Sequence, residues 1–455
     1  MLADDLAYLG IAEAGRRFRR GVLSPVDLTR ALLARIEQLE PAYHAFILVT
    51  PESAQAQAAK AATELASGLD RGPMHGIPYA LKDIADVAGL PTTCHSKILA
   101  GNIATRDAAL VTRLKDAGAV MLGKTALHEF ASGGPANDLP WPAARNPWNP
   151  DLHPGGSSSG SGTALAAGLV PAAIGTDTAG SIRNPATCCG LVGMKPTFGL
   201  VDAAGVFPLA QSLDHAGPMT RTVEDNALML AALCGEPTNL FVEGLRDGVK
   251  GLRIGVVEHF YMEDASADPR MVAAIGEAAR VLRGLGAGVA PIRLPALSAW
   301  NECGRIVQQF EQYAVHEKWL WERPQDYGQL GRSKLGAGAK VTVAEYEAAS
   351  RQRVVLRDQL KASLHGVDAV MTLSGLELPC RLDDPERIAA TYARHARMPF
   401  SLAGVPALAV PTGFTEDGLP LGMQLAAGAG REAMLYRIAW AYEDSTRWVE
   451  RHAVP

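Results

Sequence analysis

A chain of 455 residues exceeds the usual single-domain length, so it folds as two domains or as one unusually large α/β domain with an ample core. Hydrophobic residues make up 48% and charged residues 20%, an ordinary globular balance that excludes a disordered or low-complexity chain. The formal net charge is −5, from 43 basic and 48 acidic residues, and no block of Lys or Arg stands out, so neither a nucleic-acid nor a membrane partner is expected.

Taken in chain order, residues 1–20 place Asp4, Asp5 and Glu13 ahead of the arginines, the reverse of a signal peptide. No segment reaches the ~18 uninterrupted apolar residues of a membrane span, and a cytoplasmic location is expected. Ser24-Pro25-Val26-Asp27 predicts a helix start, with a serine cap, proline at the first helical position and an acid in the first turn. Leu28, Leu32, Ile36 and Leu39 continue it at helical spacing, and Pro41 is expected to stop it. Residues 108–117 predict a second helix, closed by Gly118 and followed by the apolar run 119–122, an α/β pattern. Glycine-rich sequence over 155–217 reads as irregular, and so long a stretch inside a compact domain signals function.

Further along, 252–257 reads as a buried strand before a helix over 269–284. Thr342 and Glu345 form a capping box that opens another helix ahead of a strand at 367–371. Trp300, Phe310, Tyr313, Trp319, Trp321 and Tyr327 crowd one region, either walling an apolar pocket or packing a helix. The six cysteines, Cys94, Cys188, Cys189, Cys234, Cys303 and Cys380, include no C-x-x-C pair and read as structural thiols.

Three motifs compete for the chemistry. Gly118-Ala119-Val120-Met121-Leu122-Gly123-Lys124-Thr125 satisfies the phosphate-loop expression, but its middle four residues are apolar and look like the strand itself. Gly156-Ser157-Ser158-Ser159-Gly160 contains the nucleophile-elbow pattern on Ser158, yet His153-Pro154-Gly155, not an apolar strand, precedes it. The tract from Gly155 to Gly162 also has the composition of a flexible linker. Dense apolar segments follow it directly, which points to an unusual fixed backbone instead.

Beyond that tract lies Gly175-Thr176-Asp177-Thr178-Ala179-Gly180-Ser181-Ile182-Arg183-Asn184-Pro185. Together they resemble the signature of the amidase signature family. The resemblance extends to Gly76-Ile77-Pro78-Tyr79-Ala80-Leu81-Lys82-Asp83, Leu127-His128-Glu129-Phe130, Asn146-Pro147-Trp148-Asn149 and Gly193-Met194-Lys195-Pro196-Thr197. Ser212-Leu213-Asp214 with Gly217-Pro218, Ala403-Gly404-Val405-Pro406-Ala407 and Gly418-Leu419-Pro420-Leu421-Gly422 complete it, so it runs from about residue 24 to about residue 425. Ser157 stands 24 residues before Ser181, the family's spacing between bridging serine and nucleophile. Ala179 departs from the glycine common at that place.

The resemblance implies one domain over residues 1–455, built on a twisted mixed β-sheet covered by helices on both faces. Within it, 1–22 would be an N-terminal segment, 76–225 the catalytic core and 236–400 a variable substrate-shaping region packed on the same sheet. It implies a catalytic triad of Lys82, Ser157 and Ser181, with the Gly156–Ser157 peptide cis. An oxyanion hole from the N–H groups of Thr178, Ala179, Gly180 and Ser181 follows, with Ser158, Asp177 and Arg183 as supports. The loop containing Phe130, Ala131, Ser132 and Gly133 would contact substrate. No metal or organic cofactor is implied, and a homodimer is common among relatives.

These residue types suit amide hydrolysis, which needs a nucleophile, a proton carrier and donors for a developing oxyanion. Lys82 serves as a base only when neutral, and burial among Ile77, Pro78, Ala80, Leu81 and Ile84 would lower its pKa, although Asp83 is adjacent. Without the motif, an exposed lysine would be the default, as would a surface role for Arg183. His128, His153 and His215 read as structural. The leading functional expectation is a free-standing amidase acting on small amides, aryl amides, carbamates or esters through an acyl-enzyme on Ser181. The alternatives are the glutaminase component of a glutamyl-tRNA amidotransferase, its A chain, and a non-catalytic amidase-like scaffold.

Overall fold

Capping chemistry sets the first long helix, as the spacing predicts: Ser24 Oγ accepts the Val26 N–H at 3.2 Å at the head of helix Pro25–Tyr43. The helix runs through Pro41, however, and ends two residues later at Tyr43, with His44 in the left-handed region as its cap. Pro41 has no N–H to give to the carbonyl four residues back, so the helix forgoes one bond there and closes on the His44 N–H, donated to Glu40 O at 2.9 Å. The computed structural model describes residues 6–453, so residues 1–5 of the expected 1–22 segment lie outside the described residues.

Eleven strands form one mixed sheet in the order β1-β3-β2-β4-β6-β5-β10-β11-β9-β7-β8. Their ranges are β1 Phe46–Val49, β2 Pro78–Lys82, β3 Val120–Thr125, β4 Ala172–Asp177, β5 Val192–Lys195 and β6 His215–Thr220. The others are β7 Arg253–Val256, β8 Gly288–Pro291, β9 Ala369–Leu373, β10 Ala407–Phe414 and β11 Pro420–Ala426. β2 lies parallel between β3 and β4, and all three are fully buried, which explains why they read as continuous apolar runs rather than alternating ones. The strand β3 occupies the middle of the phosphate-loop pattern, so those residues cannot curl around a phosphate.

Helix Pro269–Gly284 and the capping box opening helix Val343–Ser363 stand where expected, with both reciprocal bonds between Thr342 and Glu345 present. The expectation of irregular structure over 155–217 holds for 196–214 and is overturned for most of what precedes it. The segment 159–195 holds helix Ser159–Ala166, β4, helix Arg183–Cys189 and β5, nearly all buried. Its glycines serve close approach rather than looseness: a Cβ on Gly160 would sit 2.2 Å from Ala45 O and 2.5 Å from Ala126 N. All six cysteines are free thiols. Among the described residues, no helix is long and apolar enough to cross a membrane.

Candidate active site

The ends of the parallel strands β2 and β4 meet beneath one cavity. Lys82 closes β2, and its Nζ donates to Ser157 Oγ at 2.8 Å and to Thr176 Oγ1 at 2.7 Å. Strand alternation turns the neighbouring Asp83 to the other face, where it pairs with buried Lys124 at 2.7 Å. Asp83 is therefore no counter-ion for Lys82. Burial draws the Lys82 amine from its ordinary 10.5 down to about 7, against the opposing pull of Asp177 and Asp214. An amine poised there can both accept and return a proton near neutrality.

The serine beside it belongs to the turn before helix Ser159–Ala166. The Gly156–Ser157 peptide is cis, and Ser157 O accepts the His128 N–H at 3.1 Å. Ser158 is locked differently: its hydroxyl donates to Thr176 O at 3.3 Å and accepts the Thr176 N–H at 3.2 Å, while its N–H donates to Ser181 O. Ser158 thus ties the Gly-Ser tract to the end of β4 with its hydroxyl taken up by the Thr176 backbone, whereas Ser157 is tied to β2 through Lys82.

Ser181 sits on the turn between β4 and helix Arg183–Cys189. Asp177 and Arg183, both fully buried, make two bonds of 3.0 Å to each other. Burial alone would raise the Asp177 carboxyl, but Arg183, with Lys195 and His215, holds it well below the usual carboxylate range. Arg183 also donates to Gln424 Oε1, Ser401 Oγ and Arg397 O, tying the turn to the last strands. Asp177 Oδ1 accepts the Gly180 N–H at 2.7 Å, so that donor is already committed. Of the four residues expected to supply oxyanion N–H groups, Gly180 thus has its N–H taken up within the turn, and Thr178, Ala179 and Ser181 line the cavity described next.

A cavity of about 350 Å³ opens above this floor, lined by Ser157, Ser181 and all of Thr178 to Gly180. Ser157 and Ser181 face it together without a direct hydrogen bond between them. Of the loop expected to touch substrate, Ala131, Ser132 and Gly133 line the cavity. Phe130 does not: it turns into a buried cluster with Phe207, His316, Trp319 and Tyr327. Of the crowded aromatics of 300–327, Trp300 is fully buried and Phe310 stacks on Tyr346, packing helix Leu297–Glu322, whereas Trp321 is exposed. The side of that helix facing the cavity is polar instead, carrying Asn301, Arg305, Gln308, Gln309 and Gln312.

Of the histidines, His215 is held by Leu213 O at 2.6 Å and Lys195 Nζ at 3.2 Å, and His153 accepts the Gly155 N–H at 3.0 Å. His128 lines the cavity beside Gly156. Thr176, Asp214 and Arg397 are site residues that sequence reasoning misses. Asp214 accepts from Thr178 Oγ1 at 2.6 Å and from two backbone amides, and burial raises it to about 6. Among the described residues, no cluster of His, Cys, Asp and Glu could hold a metal ion.

A family model described as Amidase matches residues 27–436. The A component of the glutamyl-tRNA(Gln) amidotransferase of Geobacter metallireducens is 37% identical, covering 98% of each chain. The protein of that description from Roseiflexus castenholzii is 38% identical over 98% of this chain and 97% of its own. Among solved structures, a chain from a vestigial protein complex that reveals the evolutionary origins of an s-triazine catabolic enzyme superposes with a TM-score of 0.90 at 33% identity, covering 96% of this chain and 99% of that one. The peptide amidase of Stenotrophomonas maltophilia gives 0.82 at 33% identity, covering 96% and 97%. The full-length amidotransferase relatives overturn the expectation of a free-standing amidase on small amides, carbamates or esters, and favour the amidotransferase alternative.

Proposed function

This chain belongs to the amidase signature family of enzymes acting on amide C–N bonds, and we propose that it is the glutaminase component of a glutamyl-tRNA amidotransferase. The observation that carries this reading is end-to-end similarity, 37–38% identity over 98% of the chain, to proteins of that description. In such an assembly the chain releases ammonia from glutamine for a partner protein, and works in the cytoplasm.

The site's geometry supports a route for that reaction. Ser181 Oγ attacks the amide carbon while Ser157 takes its proton and Lys82, neutral, takes the proton of Ser157. The Lys82–Ser157 bond of 2.8 Å is the part of this relay already formed; substrate binding draws Ser157 and Ser181 together. The carbonyl oxygen becomes an oxyanion under the N–H groups of Thr178, Ala179 and Ser181. Collapse breaks the C–N bond, the proton returns through Ser157 to the departing nitrogen, and ammonia leaves. Water then attacks the acyl–Ser181 ester with the relay again acting as base, giving glutamate and free Ser181. Ser158, Asp177 and Arg183 hold the turn and take no proton.

Ammonia release from glutamine, measured for the chain alone and with candidate amidotransferase partners, tests the reading. Turnover that rises when the partners are added is the expected result. Absence of ammonia from glutamine in both mixtures, with Ser181 still labelled by a fluorophosphonate, would overturn it.

A further inference from the structure

Charge around the cavity is one-sided. Arg305, Lys334 and Arg397 line it, and among the described residues no Asp or Glu does. The two carboxylates nearest the nucleophile turn are already committed, Asp177 to Arg183 and Asp214 to Thr178 and two amides. Arg305 is half exposed and bonded to Glu302 at 2.6 Å, and Lys334 is exposed. Arg397 differs from both. It is 3% exposed and lies against the turn that carries Ser181: a Cβ on Gly180 would stand 2.2 Å from Arg397 Nε. Gly180, with φ of +124°, is the residue whose missing side chain admits that guanidinium.

A buried guanidinium beside a nucleophile is suited to a planar anion, because its fork matches a carboxylate and its charge does not titrate away. A substrate ammonium in the same cavity finds only neutral partners, the amide groups of Asn301, Gln308, Gln309 and Gln312. We propose that Arg397 is a specificity-determining residue that seats a carboxylate on the acyl chain of the substrate. The site then takes carboxylate-bearing monoamides whether or not they carry an α-amino group. This rests on the amide-hydrolase reading of the Ser181 cavity and widens its substrate class beyond glutamine.

The test compares ammonia release by the full chain, with its partners, from 4-carbamoylbutanoate, glutamine and the neutral pentanamide. The expected kcat/KM for 4-carbamoylbutanoate lies within about tenfold of that for glutamine, and about 100-fold above that for pentanamide, the scale of a hydrogen-bonded charge. Arg397→Gln should erase the preference over pentanamide through KM, and Arg397→Lys should restore part of it. Equal turnover of pentanamide, or an equal loss on all three amides in Arg397→Gln, would overturn the proposal. A readout independent of folding and of turnover uses the unaltered chain: glutarate should protect Ser181 from fluorophosphonate labelling where pentanamide does not. If glutamine yields no ammonia while glutarate still protects, the glutaminase reading falls and the carboxylate seat stands. Equal protection by both compounds would overturn the seat.

Discussion

Lys82 at the floor of the cavity and Arg397 at its wall are both hidden from solvent, and burial acts on them in opposite ways. The lysine, at the end of β2, is drawn to about 7, where an amine can give and take protons. An arginine cannot follow, since its guanidinium keeps its proton at any pH a protein survives, so it remains a fixed charge. The supports differ as well. The floor rests on central strand ends and glycine-tight turns, where a single atom has no room to move. Much of the wall is the polar side of one helix, where side chains reach into open space. On the proposed reading, reaction chemistry is thus built into the backbone, and substrate choice is carried by side chains laid over it.

That contrast can be broken or sharpened by mutation. At the floor, Ser181→Ala should lower ammonia release by about 10⁴-fold or more with an unchanged circular-dichroism spectrum, since it removes the attacking oxygen. Lys82→Met should lower kcat/KM by about 10²–10⁴-fold, the usual share of a general base. Activity of the unaltered chain should rise with pH through about 7, as the Lys82 amine loses its proton, and the Lys82→Met profile should lack that rise. Stability follows the same group. Between about 7 and 10.5 the unfolded chain holds a proton at this amine that the folded chain has released, so stability increases with pH across that window. Denaturant titrations should show that gradient flattened in Lys82→Met.

Asp177→Asn should cost about 3–5 kcal/mol in urea unfolding, because it leaves Arg183 charged and buried without its partner. At the wall, Gln308→Ala should change stability by no more than about 0.5 kcal/mol, the range of surface changes. Its kcat/KM should move by less than about tenfold, and an effect as large as that of Asp177→Asn would erase the distinction between floor and wall.

The floor was legible in sequence because its demands leave marks: Gly-Ser repeats, the run 175–185 and a lysine at a strand end. The caps at Ser24 and Thr342 were legible for the same reason, since capping needs particular side chains at particular positions. Small residues mislead over 159–195, where glycine reads as looseness although it marks contacts too close for a Cβ. The wall leaves no such mark. Asn301, Arg305, Gln308 and Gln312 recur at helical spacing beside the buried stripe of Trp300, Gly304 and Val307, a signal that is present but outshone by the aromatics. Arg397 carries none, because only the fold brings it from 217 residues beyond Gly180 to lie against it.

The position of β10 and β11 has a consequence for how the protein is made. These strands are made after the other nine, yet they sit mid-sheet, joining β5 on one side to β9 on the other. A nascent chain halted before residue 407 would have two separate half-sheets with bare edges. Arg183 would meanwhile lack Gln424 in every such chain, and Ser401 as well in one halted before residue 401. The sheet can therefore close only after residue 426 has emerged from the ribosome, and a product terminated earlier offers quality-control proteases open strand edges.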